Sequence, residues 1–401
     1  MLVKKCIICK GSTLDTVIDL GFHPLADTFL KKEKLRMPEE RYPLFLILCK
    51  TCGHLQRGYT VDKKVRYQGS DYSYDSSNSR VAIAHFESMA HEGIAAWNIG
   101  KGDLVLDIGS NVGTLLLKFK QHSGAKILGI EPSKNITRLA KKEGVPTLNR
   151  FFDTEAARDI KRRGGAKLIA ITNVFNHIDD LVPFMKNVRR ALRPDGVFVI
   201  EVPYGGTLVD QLSFDTIYLE HTSYFFIKPL RRLFNLFGFK IISFTLNDYM
   251  GGSVRLYVSV YGKESPEVKK ILAEEEVRGY FKRETYRTFM QKLAEFKMDL
   301  MAKLYAVKAE NGKIIGIGAA TKGNTLLNYC GVDSTLLDYV TDASPLKIGK
   351  YTPGSHIEIR DDTDIGKDIT HGVILPWNIG GFLKKKLGHL GIEFIVPHME
   401  Q

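Results

Sequence analysis

Apolar runs of strand length alternate with segments of helical periodicity through the middle of the chain. The runs 104–106, 126–131, 145–148, 167–173 and 197–202 predict five strands. Residues 114–119 and about 180–192 carry apolar side chains at helical spacing and predict helices between them, the second ending at a turn over 194–196. Strands that alternate with helices in this way are typical of an α/β fold with a parallel sheet.

Two more apolar runs follow a helix predicted over 230–237. The runs 239–246 and 254–261 bring the number of predicted strands to seven and suggest an antiparallel hairpin at one edge of the sheet. Ligands of open α/β sheets bind beyond the carboxyl ends of the strands. The segments 173–177 and 201–204, which leave the fourth and fifth strands, are therefore expected beside a ligand.

The C-terminal part has a second pattern. Residues 266–310 are charged and helical, with apolar side chains at helical spacing that predict a packing role. The runs 313–317, 336–341, 371–376 and 392–396 then predict four strands of a small Rossmann-like lobe. We expect three parts: an N-terminal module over 1–70, a central domain over 71–262 with an insertion at 205–226, and a helical connector with the C-terminal lobe over 263–401.

Composition narrows the class of protein. The 401 residues are 44% hydrophobic and 25% charged, which is ordinary for a globular protein and excludes a collagen-like or low-complexity chain. No run approaches 18 apolar residues, and the start has no secretory segment, so we expect a cytoplasmic protein without a membrane span. The net charge of +12 is compatible with nucleic acid, an anionic membrane or a phosphorylated small molecule, although lysines spread along the chain favour a solvated surface.

Four of the five cysteines form two Cys-x-x-Cys pairs. Cys6 with Cys9 and Cys49 with Cys52 are separated by 39 residues, which predicts one tetrahedral zinc site with a small insert between its halves. Four cysteine ligands leave no open position, so the zinc ion should be structural and hold a small module together. Redox or disulfide cysteines are the alternative, which an intracellular location disfavours. Cys330 is interpreted as a small buried hydrophobic residue.

A glycine turn and an acid form the main nucleotide-binding signature. The pattern Asp107-x-Gly109-x-x-x-Gly113 follows a strand and opens a helix, and Glu131 ends the next strand 22 residues after Gly109. The spelling differs from the dinucleotide pattern G-x-G-x-x-G and resembles motif I of class I S-adenosylmethionine (SAM)-dependent methyltransferases. A carboxylate at Asp107 suits a cationic sulfonium compound with an amino-acid tail, and Glu131 can accept from both ribose hydroxyls. The predicted cofactor site comprises Asp107, Gly109, Asn111, Gly113, Glu131, Phe152 and Asn173, while a dinucleotide site stays as the alternative.

Acid–base groups cluster in and near the insertion. Tyr218, Glu220 and His221 lie within four residues, and histidine titrates near neutral pH, which suggests proton chemistry. An ordinary aromatic loop with a hydrogen-bonded histidine is the alternative. His177 after the fourth strand and Tyr72 in a polar, aromatic run favour the functional interpretation. In the C-terminal lobe, a glycine-rich turn with Lys322 and Asn324 suggests a phosphate-binding site, unless Lys322 is simply a solvated lysine.

These motifs, in this order and over essentially the whole chain, resemble the nucleotide-sugar C-methyltransferases. The resemblance implies a class I methyltransferase sheet with seven strands, an N-terminal Cys₄ zinc module and a Rossmann-like C-terminal lobe. It also implies transfer of a methyl group from SAM to C3 of an NDP-4-keto-6-deoxyhexose through an enolate. His221 is then the candidate base and Glu220 orients it or binds the sugar. The remaining implied groups are the enolate-stabilising Tyr72, Tyr218 and His177. In the family the C-terminal lobe helps to hold the NDP-sugar, and we expect Lys322 and Asn324 of this lobe, with Tyr204 after the fifth strand, to bind the substrate.

Two other functions are compatible with parts of the sequence. A zinc module, a methyltransferase domain and basic charge would suit an RNA-modifying methyltransferase, but the fourth strand exits into Asn-Val-Phe-Asn-His rather than Asn-Pro-Pro-Tyr. A zinc-stabilised binding or scaffold protein would need no base such as His221. We therefore expect an NDP-sugar as the partner, with neither nucleic acid nor membrane bound, and the sequence leaves the nucleotide, the sugar and the oligomeric state open.

Overall fold

The computed structural model describes residues 1–68 and 80–397 and places them in three β-sheets. Tyr72 lies outside the described residues. The N-terminal module surrounds the cysteines: Cys6 and Cys9 lie in the loop before its first strand, Cys49 ends its second strand, and Cys52 lies in the turn that follows. Its elements are β1 Leu14–His23, β2 Tyr42–Cys49, β3 Leu55–Arg57 and α1 Lys63–Gln68.

The central domain alternates helices and strands as predicted. Its first half consists of α2 Arg80–Trp97, β4 Leu104–Ile108, α3 Thr114–Ser123, β5 Lys126–Ile130, α4 Lys134–Lys142, β6 Thr147–Leu148 and α5 Thr154–Arg162. Its second half consists of β7 Ala166–Thr172, α6 Leu181–Ala191, β8 Leu192–Pro203, α7 Gly205–Asp210, β9 Ser223–Tyr224, α8 Ile227–Asn235, β10 Lys240–Asn247 and β11 Ser253–Ser259. One boundary differs clearly, because β8 continues through the predicted turn at 194–196 and pairs Leu192 with Ala166.

Seven strands of this domain form one sheet in the order β10-β11-β8-β7-β4-β5-β6. The pairs from β8 to β6 are parallel, and β11 is antiparallel to both of its neighbours, which confirms the predicted edge hairpin. Helices cover both faces, so β7 buries Ile169 and Ile171 on one side and Leu168 and Ala170 on the other. A near-continuous apolar run is the expected sequence of such a doubly covered strand. The class I methyltransferase topology is confirmed.

The insertion at 205–226 does more than lengthen the central domain. Its strand β9 pairs antiparallel with β3 and completes a four-stranded sheet in the order β1-β2-β3-β9. Thr222, immediately before β9, accepts a hydrogen bond from the Arg57 N–H (3.0 Å), and its own N–H donates to the Asn176 carbonyl (2.7 Å). The zinc module, the insertion and the loop after β7 are therefore joined at one point.

The C-terminal part is a long helical connector followed by a parallel sheet. Its elements are α9 Pro266–Val277, α10 Arg283–Ala309, β12 Ile314–Ile317, α11 Thr321–Cys330, β13 Val340–Asp342, β14 Ile359–Asp361, β15 His371–Ile374, α12 Gly380–Leu387 and β16 Glu393–Ile395. The five strands follow the order β14-β13-β12-β15-β16. The sheet contains the four predicted strands and one more, β14, and Cys330 is buried as expected.

Candidate active site

The turn after β4 has a backbone that only glycine fits. Gly109 has φ 72°, and a Cβ there would lie 2.6 Å from the Val174 side chain. Gly113 has φ 88°, and a Cβ there would lie 2.6 Å from the Val145 side chain. Positive φ and a close neighbour both exclude a larger residue at each position. The turn therefore lies at the carboxyl edge of the sheet, without side chains of its own at Gly109 and Gly113, and leads directly into α3.

Two buried carboxyl groups face this turn. Glu131 accepts hydrogen bonds from the Ser133 N–H (2.8 Å) and the Asn111 N–H (3.2 Å), which fix its orientation. Asp107 is 2% exposed, and its Oδ1 has no hydrogen-bond partner within the described residues. Burial, with the nearby charge of Glu131, raises the pKa of Asp107 to about 8. A buried carboxyl oxygen without a donor fits a ligand that brings an ammonium or sulfonium group, as SAM does.

Two other predicted cofactor residues lie at the same edge of the sheet. Asn173 follows β7 with φ 53°, and its N–H donates to the Glu201 carbonyl (2.7 Å). Its buried Oδ1 accepts no hydrogen bond from the part of the chain that the structure describes. The half-buried Phe152 ring packs edge-on against Phe184 at 5.5 Å. The two side chains offer a polar group and an aromatic ring, and their predicted roles at the cofactor stay predictions.

His221 has a fixed tautomer. Its Nδ1 lies 2.8 Å from the Thr216 carbonyl oxygen, and because a carbonyl only accepts, Nδ1 carries the proton. The lone pair of the neutral ring is then on Nε2. Burial, with a further contribution from the charge of Arg57, lowers the pKa of His221 to about 3, so the ring is neutral at pH 7. A neutral imidazole with an available Nε2 can accept a proton.

The other predicted acid–base groups surround this histidine. The ring centre of Tyr218 lies 3.8 Å from that of His221, and the ring of His177 lies 4.8 Å away and nearly perpendicular. Glu220 accepts a hydrogen bond from the Asp27 N–H (3.0 Å), and burial raises its pKa to about 7. The structure thus brings together His221, Glu220, Tyr218 and His177, whereas the position of Tyr72 is not described.

Two buried arginines of the zinc module lie beside this cluster and were not predicted from the sequence. Arg57 and Arg66 are 2% and 6% exposed, and both guanidinium groups contact Asp179. Arg66 also donates to the Glu220 carbonyl (3.3 Å). The pKa of His177 lies well below its usual value. Burial is the largest cause, the nearby His221 is the second, and the positive charges of the two arginines lower the pKa further. More than a hundred residues separate these arginines from His177, so local sequence patterns give no signal for the contact.

The three predicted substrate residues have different environments. The Lys322 ammonium lies 4.6 Å from the Trp377 ring centre and makes no hydrogen bond within residues 1–68 and 80–397. Asn324 donates from Nδ2 to the Ala26 carbonyl (2.7 Å), whereas its buried Oδ1 accepts nothing from the described residues. The Tyr204 hydroxyl instead donates to the buried Glu275 (2.9 Å). This contact joins the residue after β8 to α9, and the role of Tyr204 in substrate binding stays a prediction.

The four N-terminal cysteines converge as a metal site. Cys6 and Cys52 have sulfurs 3.6 Å apart, Cys9 and Cys49 have sulfurs 3.5 Å apart, and all four sulfurs lie within 4.8 Å of one another. Tetrahedral zinc with Zn–S bonds of about 2.3 Å requires sulfur separations of about 3.8 Å. The arrangement therefore fits a zinc ion that is held by cysteine alone.

Comparison with known proteins decides the family. Residues 248–397 match the family described as "C-methyltransferase C-terminal domain", residues 84–244 match a methyltransferase domain, and residues 6–67 match a zinc-binding domain. The chain is 30% identical to the C-methyltransferase NovU of Streptomyces niveus, over 98% of this chain and 95% of that protein. The chain belongs to this C-methyltransferase family. It is accordingly a SAM-dependent C-methyltransferase with an N-terminal zinc-binding domain.

Solved structures are similar to part of this C-methyltransferase. A SAM-dependent methyltransferase from Clostridium acetobutylicum is 12% identical, with a TM-score of 0.35, and the similarity covers 44% of this chain and 91% of that one. The cyclopropane synthase MmaA2 of Mycobacterium tuberculosis is 16% identical, with a TM-score of 0.34, and the similarity covers 55% of this chain and 79% of that one.

No helix in the described part of the chain combines the length and the apolar character that crossing a bilayer requires.

Proposed function

We propose that this C-methyltransferase methylates C3 of an NDP-4-keto-6-deoxyhexose through an enolate. Carbon becomes nucleophilic only after it has lost a proton, and a ketone at C4 acidifies the proton on C3. A protein that catalyses this step needs a neutral base near the cofactor and groups that stabilise the enolate oxygen. The cluster around His221 contains both kinds of group.

The fixed tautomer of His221 carries the proposal. With Nδ1 held by the Thr216 carbonyl at 2.8 Å, Nε2 is the nitrogen that takes the C3 proton. The C–H bond breaks, its electron pair enters the enolate, and negative charge develops on the oxygen at C4. The resulting imidazolium would be costly in a buried site unless its proton soon leaves for water or a neighbouring group.

The surrounding groups suit the enolate. Tyr218, whose ring centre lies 3.8 Å from that of His221, can donate from its hydroxyl to the oxygen at C4. His177, 4.8 Å away, is proposed to contact the substrate, since its one N–H is shared with the Glu220 carbonyl. Tyr72 is proposed to add a further donor. Arg57 and Arg66 supply positive charge from the zinc module, and buried charges of this sign favour an anionic intermediate over its neutral precursor. Glu220, held by the Asp27 N–H, is proposed to bind a sugar hydroxyl or to orient the substrate.

The cofactor residues are assigned in the same way. When bound, SAM supplies a methyl group on a positively charged sulfur, and C3 accepts that methyl group while the sulfur keeps the bonding electrons. Glu131 is proposed to accept from the ribose hydroxyls and Asp107 from the amino-acid end. Asn173 and Phe152 are proposed to contact the nucleoside at the sheet edge.

The nucleotide end of the substrate is assigned to the C-terminal lobe. Lys322 has a buried ammonium without a hydrogen-bond partner in the described ranges, and its burial lowers its pKa. A diphosphate would supply the missing acceptors and restore the charge. Asn324 is proposed to accept through its unpaired Oδ1 a hydrogen bond from an N–H or O–H group of the nucleoside or the sugar. Because NDP-sugars and reduced zinc thiolates belong to the cell interior, we place the reaction in the cytoplasm.

The test is incubation with a panel of NDP-4-keto-6-deoxysugars, SAM and purified enzyme, with mass spectrometry as the readout. The proposal expects one panel member to gain CH₂, and it expects C3 to exchange its proton with D₂O when S-adenosylhomocysteine replaces SAM. The same enzyme is incubated with total RNA and labelled SAM. Label in RNA, with no methylation or exchange of any panel sugar, would overturn the proposal in favour of an RNA-modifying enzyme.

A further inference from the structure

A second group of potential metal ligands lies on the outer side of the central domain. Glu87 and His91 are one turn apart on α2, and His122 is near the end of α3. The Nε2 atoms of both histidines point to Oε1 of Glu87, at 3.4 Å from His91 and in hydrogen-bond contact from His122. The two rings are 4.2 Å apart. No step of the proposed methyl transfer uses these side chains.

The donor set matches a definite class of metal ion. Two imidazole nitrogens and one carboxylate oxygen suit zinc and the neighbouring first-row divalent ions. Bonds of about 2.0–2.1 Å in tetrahedral geometry require ligand atoms about 3.3 Å apart. The three ligand atoms already lie within 4.8 Å of one another, so small side-chain rotations close the set around an ion. We propose that Glu87, His91 and His122 form a second zinc site, with water in the fourth position.

The two helices provide a rigid frame for this site. Phe86 and Ala90 on α2 and Leu116 and Phe119 on α3 belong to one buried apolar cluster. Gly93 lets the helices approach closely, because a Cβ there would lie 3.1 Å from the Phe119 ring. Ligands on packed helices lose little conformational freedom when a metal binds, which favours affinity. Bound zinc would join α2 to the helix that opens at the glycine turn of the cofactor site.

Lys118 limits the affinity of the site. Its ammonium lies 2.5 Å from Oε2 of Glu87, so one carboxylate oxygen is already neutralised and a cation beside it meets a like charge. The exposed fractions of the side chains, 32% for Glu87, 58% for His91 and 23% for His122, leave room for water on the ion. We therefore expect zinc binding in about the micromolar range.

The experiment uses the full-length protein with its cysteine site filled, as verified by elemental analysis. Isothermal titration with ZnCl₂ should reveal one further equivalent. His91→Ala and His122→Ala should each weaken that binding at least about tenfold. Loss of a residue that only hydrogen-bonds to a metal ligand already lowers metal affinity by about 10–100-fold, and these two histidines are proposed as ligands themselves. His389→Ala, an exposed histidine of the C-terminal lobe, is the matched control and should leave the binding unchanged. Lys118→Met should strengthen it.

Cobalt gives an independent readout. Co²⁺ added to the zinc-loaded protein should produce ligand-field bands without the thiolate charge-transfer bands that the cysteine site would give, and His122→Ala should abolish them. Circular dichroism of the variants without added metal verifies the fold. The proposal is overturned by absence of a second equivalent, or by a second equivalent that persists in both His91→Ala and His122→Ala. Neither outcome depends on whether the proposed sugar substrate is correct.

Discussion

Replacing His221 by asparagine tests the proposed base with little change in structure. Asparagine offers its Nδ2–H where histidine has Nδ1–H, so the 2.8 Å hydrogen bond to the Thr216 carbonyl can be kept. The variant has no atom in place of Nε2. The substitution therefore removes the proton acceptor and preserves the contact that orients the residue.

The expected loss follows from the role of the missing nitrogen. Removing a positioned general base costs about 10²–10⁴-fold in rate, which corresponds to about 3–5 kcal/mol of transition-state stabilisation. Deuterium uptake at C3 with S-adenosylhomocysteine bound isolates this step, because no methyl transfer can follow. We expect His221→Asn to bind both ligands in calorimetry, and to lose exchange and methyl transfer together.

His389→Asn is the matched control, since this exposed histidine lies in the C-terminal lobe, and it should exchange C3 at the wild-type rate. Exchange at the wild-type rate in His221→Asn would refute the assignment of the base. His177 would then be the next candidate, because its ring lies 4.8 Å from that of His221.

The remaining predictions concern the cofactor, the metal, the substrate and pH. Glu131→Ala should weaken SAM binding about tenfold or more in calorimetry with an unchanged circular dichroism spectrum, because hydrogen bonds to a charged group are lost. Cys49→Ser should purify with less zinc by elemental analysis and unfold at a lower temperature. Lys322→Met should raise KM for the NDP-sugar far more than it lowers kcat. The pH test of His221 uses Glu220→Gln, because Glu220 has a pKa of about 7 and would itself titrate in the range examined. Since burial lowers the pKa of His221 to about 3, the rate of C3 exchange in this variant should stay level from pH 7.5 to 5.5. An imidazole with the ordinary pKa of about 6.5 would lose about tenfold in rate at pH 5.5.

Local patterns predicted the parts of the molecule that short stretches of chain build. The glycine turn and Glu131 lie in and directly after one strand–helix–strand unit. Each cysteine pair spans a single tight turn, closed by hydrogen bonds from Lys10 to the Cys6 carbonyl and from Gly53 to the Cys49 carbonyl. Strands buried on both faces leave apolar runs that can be counted in the sequence. For this reason the class I sheet, its edge hairpin and the zinc module could all be predicted before the structure was known.

Contacts between distant segments could not be predicted in this way. The strand β9 has only two residues, which is too short to show the alternation of apolar and polar positions by which strands are predicted. Its partner β3 lies about 170 residues earlier in the chain. The hydrogen bond from Asp27 to Glu220 spans 193 residues. In the sequence, Arg57 and Arg66 cannot be distinguished from the other basic residues of the zinc module. Only the folded structure shows that they are buried beside His177. Such pairs are selected by tertiary packing, which a single sequence does not display.

The zinc ion and the proposed base are linked by this long-range architecture. A site of four cysteines has no open position for substrate, so the metal itself takes no part in the chemistry. Yet β3 follows the second cysteine pair and binds β9, through Leu55 with Tyr224 and Gln56 with Ser223, only two residues beyond His221. In a small module the free energy of metal binding is also the free energy of folding. Loss of zinc would therefore weaken the hold of β3 on the segment of His221, and a metal without catalytic chemistry would still help to position the proposed base.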